Sequence, residues 1–263
     1  MSKYIQLFSL YWQNGLVYRT NLILWRFRQF LSALMALTVW SVVFTGQEQV
    51  FGYDTGGMIA YVFIASFLQS LVLATALHGL AQRVYSGEVS MLLTKPINFF
   101  GTLAIEDLAD KSRNILFIFV EMGLLYLLFM PTIPLPGLQT WLIFGLLASM
   151  GAVLHFIISL LFGTLGFFSP ETWGPKFLFF VIVDFTAGKL FPLDILPEVV
   201  QKILFLTPFP YFSFVQTQVF LEKYTQPELL NHILVLAGWL IGLSVLNSWL
   251  WKKGMREYTA AGH

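Results

Sequence analysis

AGKLFPLDILPEVVQKILFLTPFPY, residues 187–211, is the stretch on which the reading of this chain turns. It is too apolar for an ordinary surface loop and too interrupted to cross a bilayer. Pro192, Pro197, Pro208 and Pro210 break it, and Lys189, Asp194, Glu198 and Lys202 add charge. Proline removes a backbone donor and clashes with the preceding helical turn. The pattern predicts short helices dipping into a membrane from one side. Irregular backbone at that depth persists only where protein or a water-filled cavity covers it. A segment of this kind suits a gate or cap over a transport route.

The composition around it agrees. Apolar residues make up 57% and charged residues 11%, with a mean hydropathy of +0.73. Soluble domains carry about 25% charged residues, so the length is used by membrane spans rather than by a soluble core. A net charge of +1 gives no overall field that would draw nucleic acid. With no cysteine, disulfides and thiolate metal sites are excluded. The opening MSKYIQLFSLYWQNGLVYRTN does not read as a cleavable signal peptide, because it lacks a basic start, an apolar run and a small-residue cleavage site in that order.

Six apolar segments stand out, at roughly 22–45, 56–81, 112–130, 139–167, 176–190 and 230–251. About 20 apolar residues cross a hydrocarbon core. The fifth run is short and is expected to lead straight into the broken segment. Placing the N-terminus in the cytoplasm puts 12 Lys and Arg residues in inside segments and only Lys189, Lys202 and Lys223 outside. This asymmetry follows the positive-inside rule and predicts that both termini are cytoplasmic.

Residues 3–18 form a candidate interfacial helix, with Tyr4, Phe8, Tyr11 and Trp12 at helical spacing. Arg26 and Arg28 lie in the first turns of the first span, where long stems snorkel to the headgroups. The largest inside segment is 82–111. Within it Val89, Leu92 and Leu93 share one face of a short helix, with Ser86 as N-cap and Lys95-Pro96 as stop. Asn98 to Asp110 reads as a second amphipathic piece. MPTIPLPG at 130–137 and SPETWGPK at 169–176 read as tight connections.

Motifs of chemistry are few. No GxxxxGK[ST], HExxH or GxSxG occurs. His78, His155, His232 and His263 have no ligand-like spacing, and His78 and His155 read first as interhelical hydrogen-bonding groups. Glu121 and Asp184 fall inside spans three and five. A charge at the bilayer centre costs at least about 2.5–3.5 kcal/mol, so each needs a cavity or a partner on a neighbouring helix, and both remain open. Phe191, Phe209, Tyr211 and Phe212 read either as an apolar constriction or as an interfacial belt.

The order of these parts resembles a type-2 ABC transporter permease. Arg83–Pro96, RVYSGEVSMLLTKP, is similar to the Gly-x-x-x-x-Leu-Leu-x-x-Pro pattern in the first cytoplasmic loop of small bacterial permeases of that class. Ala187–Pro197 and Leu206–Tyr211 are similar to their external hairpin, and Gly254–Gly262 to their basic tail. The resemblance covers nearly the whole chain. Closest in character is the branch in which two different small permeases are often encoded beside one ATPase.

The resemblance implies an all-α, six-span permease domain over residues 1–263 in a bacterial inner membrane. It implies an external broken hairpin at 187–228 and a cytoplasmic coupling loop at 82–111. Coupling to an ATP-binding-cassette subunit would fall to Gly87, Glu88, Val89, Met91, Leu92 and Leu93, with Met91 and Leu92 as exposed apolar knobs. The external gate would involve Phe191, Pro192, Pro197, Pro208, Phe209 and Tyr211. A second permease, identical or related, would complete the pathway. ATP and Mg would bind the partner ATPase, with no cofactor in this chain. The cargo implied is amphipathic or hydrophobic: lipid, glycolipid, peptide or drug. Two alternatives are an intramembrane lipid-modifying enzyme using His78 or His155 with Glu121, and a self-sufficient channel.

Overall fold

The computed structural model describes residues 3–17, 19–94 and 96–258. Eleven α-helices run through these residues: α1 (Lys3–Val17), α2 (Arg19–Val43), α3 (Thr55–Val72), α4 (Leu80–Tyr85), α5 (Val89–Leu93), α6 (Phe99–Phe129), α7 (Leu138–Thr164), α8 (Trp173–Thr186), α9 (Glu198–Phe205), α10 (Phe214–Phe220) and α11 (Gln226–Glu257). Between α2 and α3 lies a two-stranded hairpin, β1 (Gln49–Val50) and β2 (Tyr53–Asp54), a small departure from the all-α expectation. Its turn residues Phe51 and Gly52 both have positive φ, as a twisted two-residue hairpin requires.

Five helices, α2, α3, α6, α7 and α11, are long and apolar enough to cross a membrane. The chain is therefore a multi-spanning helical membrane protein. The expected run at 176–190 is not a sixth helix of that length. Here α8 has 14 residues, about 21 Å at 1.5 Å per residue, short of the roughly 30 Å core. It stops at Thr186, and Gly188 takes φ +80° to turn the chain. The run 56–81 also breaks early: α3 ends at Val72, and the Thr75 hydroxyl then accepts the Leu77 N–H at 3.2 Å.

Local signals explain the starts of the long helices. Asp54 caps α3 by accepting the Gly57 N–H, and Asn98 caps α6 by accepting the Gly101 N–H at 2.8 Å. Thr225 and Glu228 form a capping box on α11. Because Asn98 starts a continuous helix, the amphipathic piece expected at 98–110 is the first third of α6 rather than a separate element. At about 46 Å, α6 is longer than the roughly 30 Å hydrocarbon core, and most of its charged residues lie in its N-terminal half. Ser86 does not cap α5. Its N–H closes α4 on the Gln82 carbonyl, and Gly87 at φ +79° supplies the turn. Lys95, proposed as the stop, lies outside the described residues, as do Tyr18 and residues 259–263 of the tail.

The main core gathers around α3, α7 and α10, with Tyr61, Leu68, Val72, Leu147, Phe212 and Val215 almost fully buried. A second, smaller core lies at the end bearing α4 and α5, where Leu80, Val84, Val89, Leu103 and Phe167 meet. The hairpin, α9 and the start of α11 lie toward the far end.

Candidate functional site

Segment 187–225 does what an interrupted apolar sequence has to do: it hides its backbone. The turn Phe209–Phe212 lies against Gly151, the midpoint of α7. A Cβ on Gly151 would sit 2.8 Å from the Tyr211 carbonyl, so only glycine admits the turn there. Five side chains then satisfy the carbonyls that no helix satisfies. Ser213 donates to Ala187 O, Tyr61 to Gly188 O and Trp40 to Leu190 O, at 2.5–2.7 Å. Gln201 donates to Asp194 O and Leu196 O, and Gln216 to Tyr211 O; Gln216 also reaches Leu147 O within α7 at 3.3 Å. Unpaired backbone at membrane depth costs several kcal/mol per group, and these donors remove that cost. All seven residues of α10 are buried.

Asp194 is the hub that joins this segment to the rest. Its Oδ2 accepts the Tyr53 hydroxyl at 2.7 Å and Gln218 Nε2 at 2.9 Å, while Gln218 also donates to Tyr53 Oη at 3.0 Å. Lys223 Nζ lies 3.6 Å from the centre of the Tyr53 ring, a cation–π contact. Burial, and then the bond to Asp194, push the Tyr53 phenol well above its ordinary value. Burial, followed by the charge of Asp194, does the same to Tyr224, and burial lowers the Lys223 ammonium. A cavity of about 320 Å³ opens beside the hub, walled by Phe205, Phe214, Tyr224 and His232.

At the opposite end, α6 carries a ladder of ion pairs. Glu106 meets Arg83, Asp107 meets Lys111, and Asp110 meets Arg113. The Arg113 guanidinium also donates to the carbonyls of Tyr11 and Trp12, fastening α1 to α6. Next to this ladder α5 is only five residues long. Val89 is fully buried and Leu92 half-buried against the second core, whereas Met91 is 65% and Leu93 38% exposed.

A family model described as "ABC-2 family transporter protein" matches residues 30–262. The chain belongs to the ABC-2 family of transporter proteins. No curated protein matches it. As an ABC-2 member it is a permease-type transport subunit without catalytic chemistry of its own, and membership implies pairing with an ATP-binding-cassette subunit. Among the described residues, no three His, Asp or Glu side chains converge as metal ligands would.

With the family fixed, each residue singled out from the sequence has a place. Glu121 pairs with Arg26 of α2, whose Nε is 2.7 Å from Oε1, and Arg26 also reaches Asn114. Arg26 is 4% exposed, so it does not snorkel; only Arg28 stays exposed, over the Trp25 ring. Asp184 accepts from Gln69 at 3.1 Å, in a pairing separate from that of Glu121. His78 and His155 border one cavity of about 20 Å³ with Thr75, Ser159 and Lys176, and Glu121 is not on its wall. The pairing of either histidine with Glu121 that the enzyme alternative needs is therefore not assembled. Of the gate residues, Phe191 and Phe209 pack on the main core, Pro192 and Tyr211 are buried, Pro208 is half-buried, and Pro197 is exposed. Leu92 is corrected as an exposed knob; Leu93 takes that position beside Met91.

Sequence reasoning missed the hub and misplaced one lysine. Asp194 counted only as a charge interrupting an apolar run, and Tyr53 and Gln218 drew no notice. The signal was an acid held between two prolines in otherwise apolar sequence. Lys189, counted outside, is 4% exposed, and its Nζ bonds Ser32 Oγ at 2.9 Å midway along α2.

Proposed function

We propose that this ABC-2 protein is the membrane-spanning permease subunit of an ATP-driven exporter for an amphipathic or hydrophobic cargo. The α5 end is cytoplasmic, and α5 is the coupling helix that sits in a cleft of the ATPase. The partner binds ATP and Mg. A second permease, identical or related, packs against the exposed apolar faces of α2, α8 and α11. In this arrangement α8 with the chain after it serves as the remaining span, and 187–225 is a re-entrant external cover over the exit. The membrane is a bacterial inner membrane, with both termini in the cytoplasm.

One observation carries the reading. A five-residue helix presents Met91 and Leu93 outward from the same end where α6 carries most of its charges and binds α1, α4 and the chain after α3 through ion pairs and hydrogen bonds. A push on α5 therefore has a rigid body to act on. The basic residues favour the same orientation. With Lys189 withdrawn into the protein, only Lys202 and Lys223 remain for the external side.

Gentle purification of the tagged chain from its host, followed by mass spectrometry, tests the proposal. An ATP-binding-cassette subunit in near-equal amount is expected, and Met91→Asp with Leu93→Asp is expected to release it while thermal unfolding stays unchanged. A second permease in the sample would identify a heterodimer. A chain that purifies alone even after crosslinking would overturn the reading.

A further inference from the structure

Between α1, α2, the bend after α3 and α6 lies a cleft of about 510 Å³, within the 300–1,000 Å³ typical of small-ligand sites. Its depth in the membrane follows from two helices independently. About 20 helical residues span a 30 Å hydrocarbon core. Counting back from Val43 along α2 reaches residue 23, and from Phe129 along α6 reaches residue 109. Asn21, Leu22 and Trp25 line one wall and Asp110, Arg113 and Asn114 the other. Both counts put the cleft at the level of the phospholipid headgroups.

The charges on its wall cancel internally. Asp110 is held by Arg113 and Asn114, and Glu106 by Arg83. The lip is different. Arg28 is exposed, follows Trp25 by one helical turn and lies 4.5 Å from the Trp25 ring, which lines the cleft. Among the described residues Arg28 has no ion-pair partner. The Asn14 and Asn21 amides on the rim are exposed and lack a hydrogen-bond partner among those residues. Inside the cleft, Arg113 is 6% exposed and its Nε has no partner among the described residues.

We infer that this cleft holds the headgroup of an anionic glycerophospholipid, resident rather than transported. The phosphate lies against Arg28 at the lip. The headgroup hydroxyls meet the Asn14 and Asn21 amides, and the acyl chains follow the apolar outer face of α2, where Ile23, Leu24 and Phe27 are exposed. A zwitterionic headgroup fits less well, because the carboxylates that would hold its ammonium are already saturated. The inference concerns this cleft alone and holds whichever end of the bundle faces the cytoplasm.

The test is native mass spectrometry on the full-length, delipidated chain titrated with dioleoyl-phosphatidylglycerol, -phosphatidylethanolamine or -phosphatidylcholine. One tightly held phosphatidylglycerol is expected, with the other two lipids binding at least tenfold more weakly. A near-surface arginine contributes about fivefold, so Arg28→Gln is expected to weaken binding about fivefold. That change touches no ion pair among the described residues. Asn21→Leu, which fills the mouth of the cleft, is expected to reduce binding while Arg28 stays in place. Equal binding of all three lipids, or phosphatidylglycerol binding indifferent to these variants, would overturn the inference.

Discussion

Asp194→Asn is the most direct test of whether the Asp194 hub holds segment 187–225 shut. The carboxylate accepts two bonds from groups that are themselves buried: Tyr53 is 5% and Gln218 2% exposed. Hydrogen bonds to a charged group contribute about 1.5–3 kcal/mol and neutral ones about 0.5–1.5. Asp194 is open to solvent on its other side, so the low end of the first range applies. Asparagine keeps one acceptor oxygen for Tyr53 and Gln218 and loses only the charge. The expected loss is about 1–2 kcal/mol, a factor of about 5–30 in the equilibrium between packed and displaced segment. The chain has no cysteine, so a single Val215→Cys in the fully buried α10 gives a clean reporter. The rate of maleimide labelling then reads the displaced population. Asp194→Asn is expected to raise that rate about 5- to 30-fold, and Asp194→Ala further. Tyr53→Phe added to Asp194→Ala is expected to add little, because both remove the same bond. Labelling unchanged by Asp194→Ala, or fully additive effects of the two changes, would refute the hub as the fastening of this segment.

Four other outcomes follow from the same geometry. Gly151→Ala is expected to cost about 1–3 kcal/mol by overpacking, read as a lower unfolding temperature, because its Cβ meets the Tyr211 carbonyl at 2.8 Å; an unchanged temperature would mean that the turn does not sit against α7. Arg26→Met is expected to cost about 3–5 kcal/mol by leaving Glu121 buried and unpaired, with Arg26→Met/Glu121→Met recovering most of it; a double variant as unstable as the single would contradict the pairing. Leu92→Asp is expected to lower thermal stability where Met91→Asp does not, since only Leu92 packs on the second core. Above about pH 10 the unfolded chain releases the Tyr53 proton and the folded chain keeps it. The stability contributed by Tyr53 is therefore intact below that pH and falls by about 1.4 kcal/mol per pH unit above it, and Tyr53→Phe is expected to remove one proton's worth of slope in unfolding measured from pH 9 to 11.5.

What was legible in the sequence was whatever depends on one segment at a time. Apolar runs of span length located all five long helices and placed both ends of α2 and α7 within three residues, because burial in lipid depends on local composition alone. The break at 187–211 was readable for the same reason, since proline acts on its own helical turn. The fifth run was expected to be short and to lead into the broken segment, and α8 ends at Thr186, just before Gly188 turns the chain. Leu92 was misassigned because a five-residue helix has no periodicity to orient it; the second core turned Val89 and Leu92 inward. Pairings were the blind spot. Arg26 and Glu121 are 95 residues apart, Tyr53 and Asp194 are 141, and Lys189 and Ser32 are 157. No spacing rule joins positions that only the fold brings together.

Those pairings fall into two chemical kinds, and the division bears on movement. Along α6 they are ion pairs, buried or half-buried, and breaking a buried one strands a charge at a cost of several kcal/mol. Around 187–225 they are mostly single neutral donors, from Ser213, Tyr61, Trp40, Gln201 and Gln216, onto backbone carbonyls, each contributing about 0.5–1.5 kcal/mol. Of the charged acceptors there, Glu222 included, only Asp194 takes its bonds from almost fully buried groups. Water admitted to the segment would replace the neutral bonds almost in kind, whereas nothing replaces Arg26 for Glu121. If α5 couples to an ATPase as proposed, force applied there moves α1, α2 and α6 together and finds its yielding point in the broken segment, where the Asp194 bonds are the strongest to break.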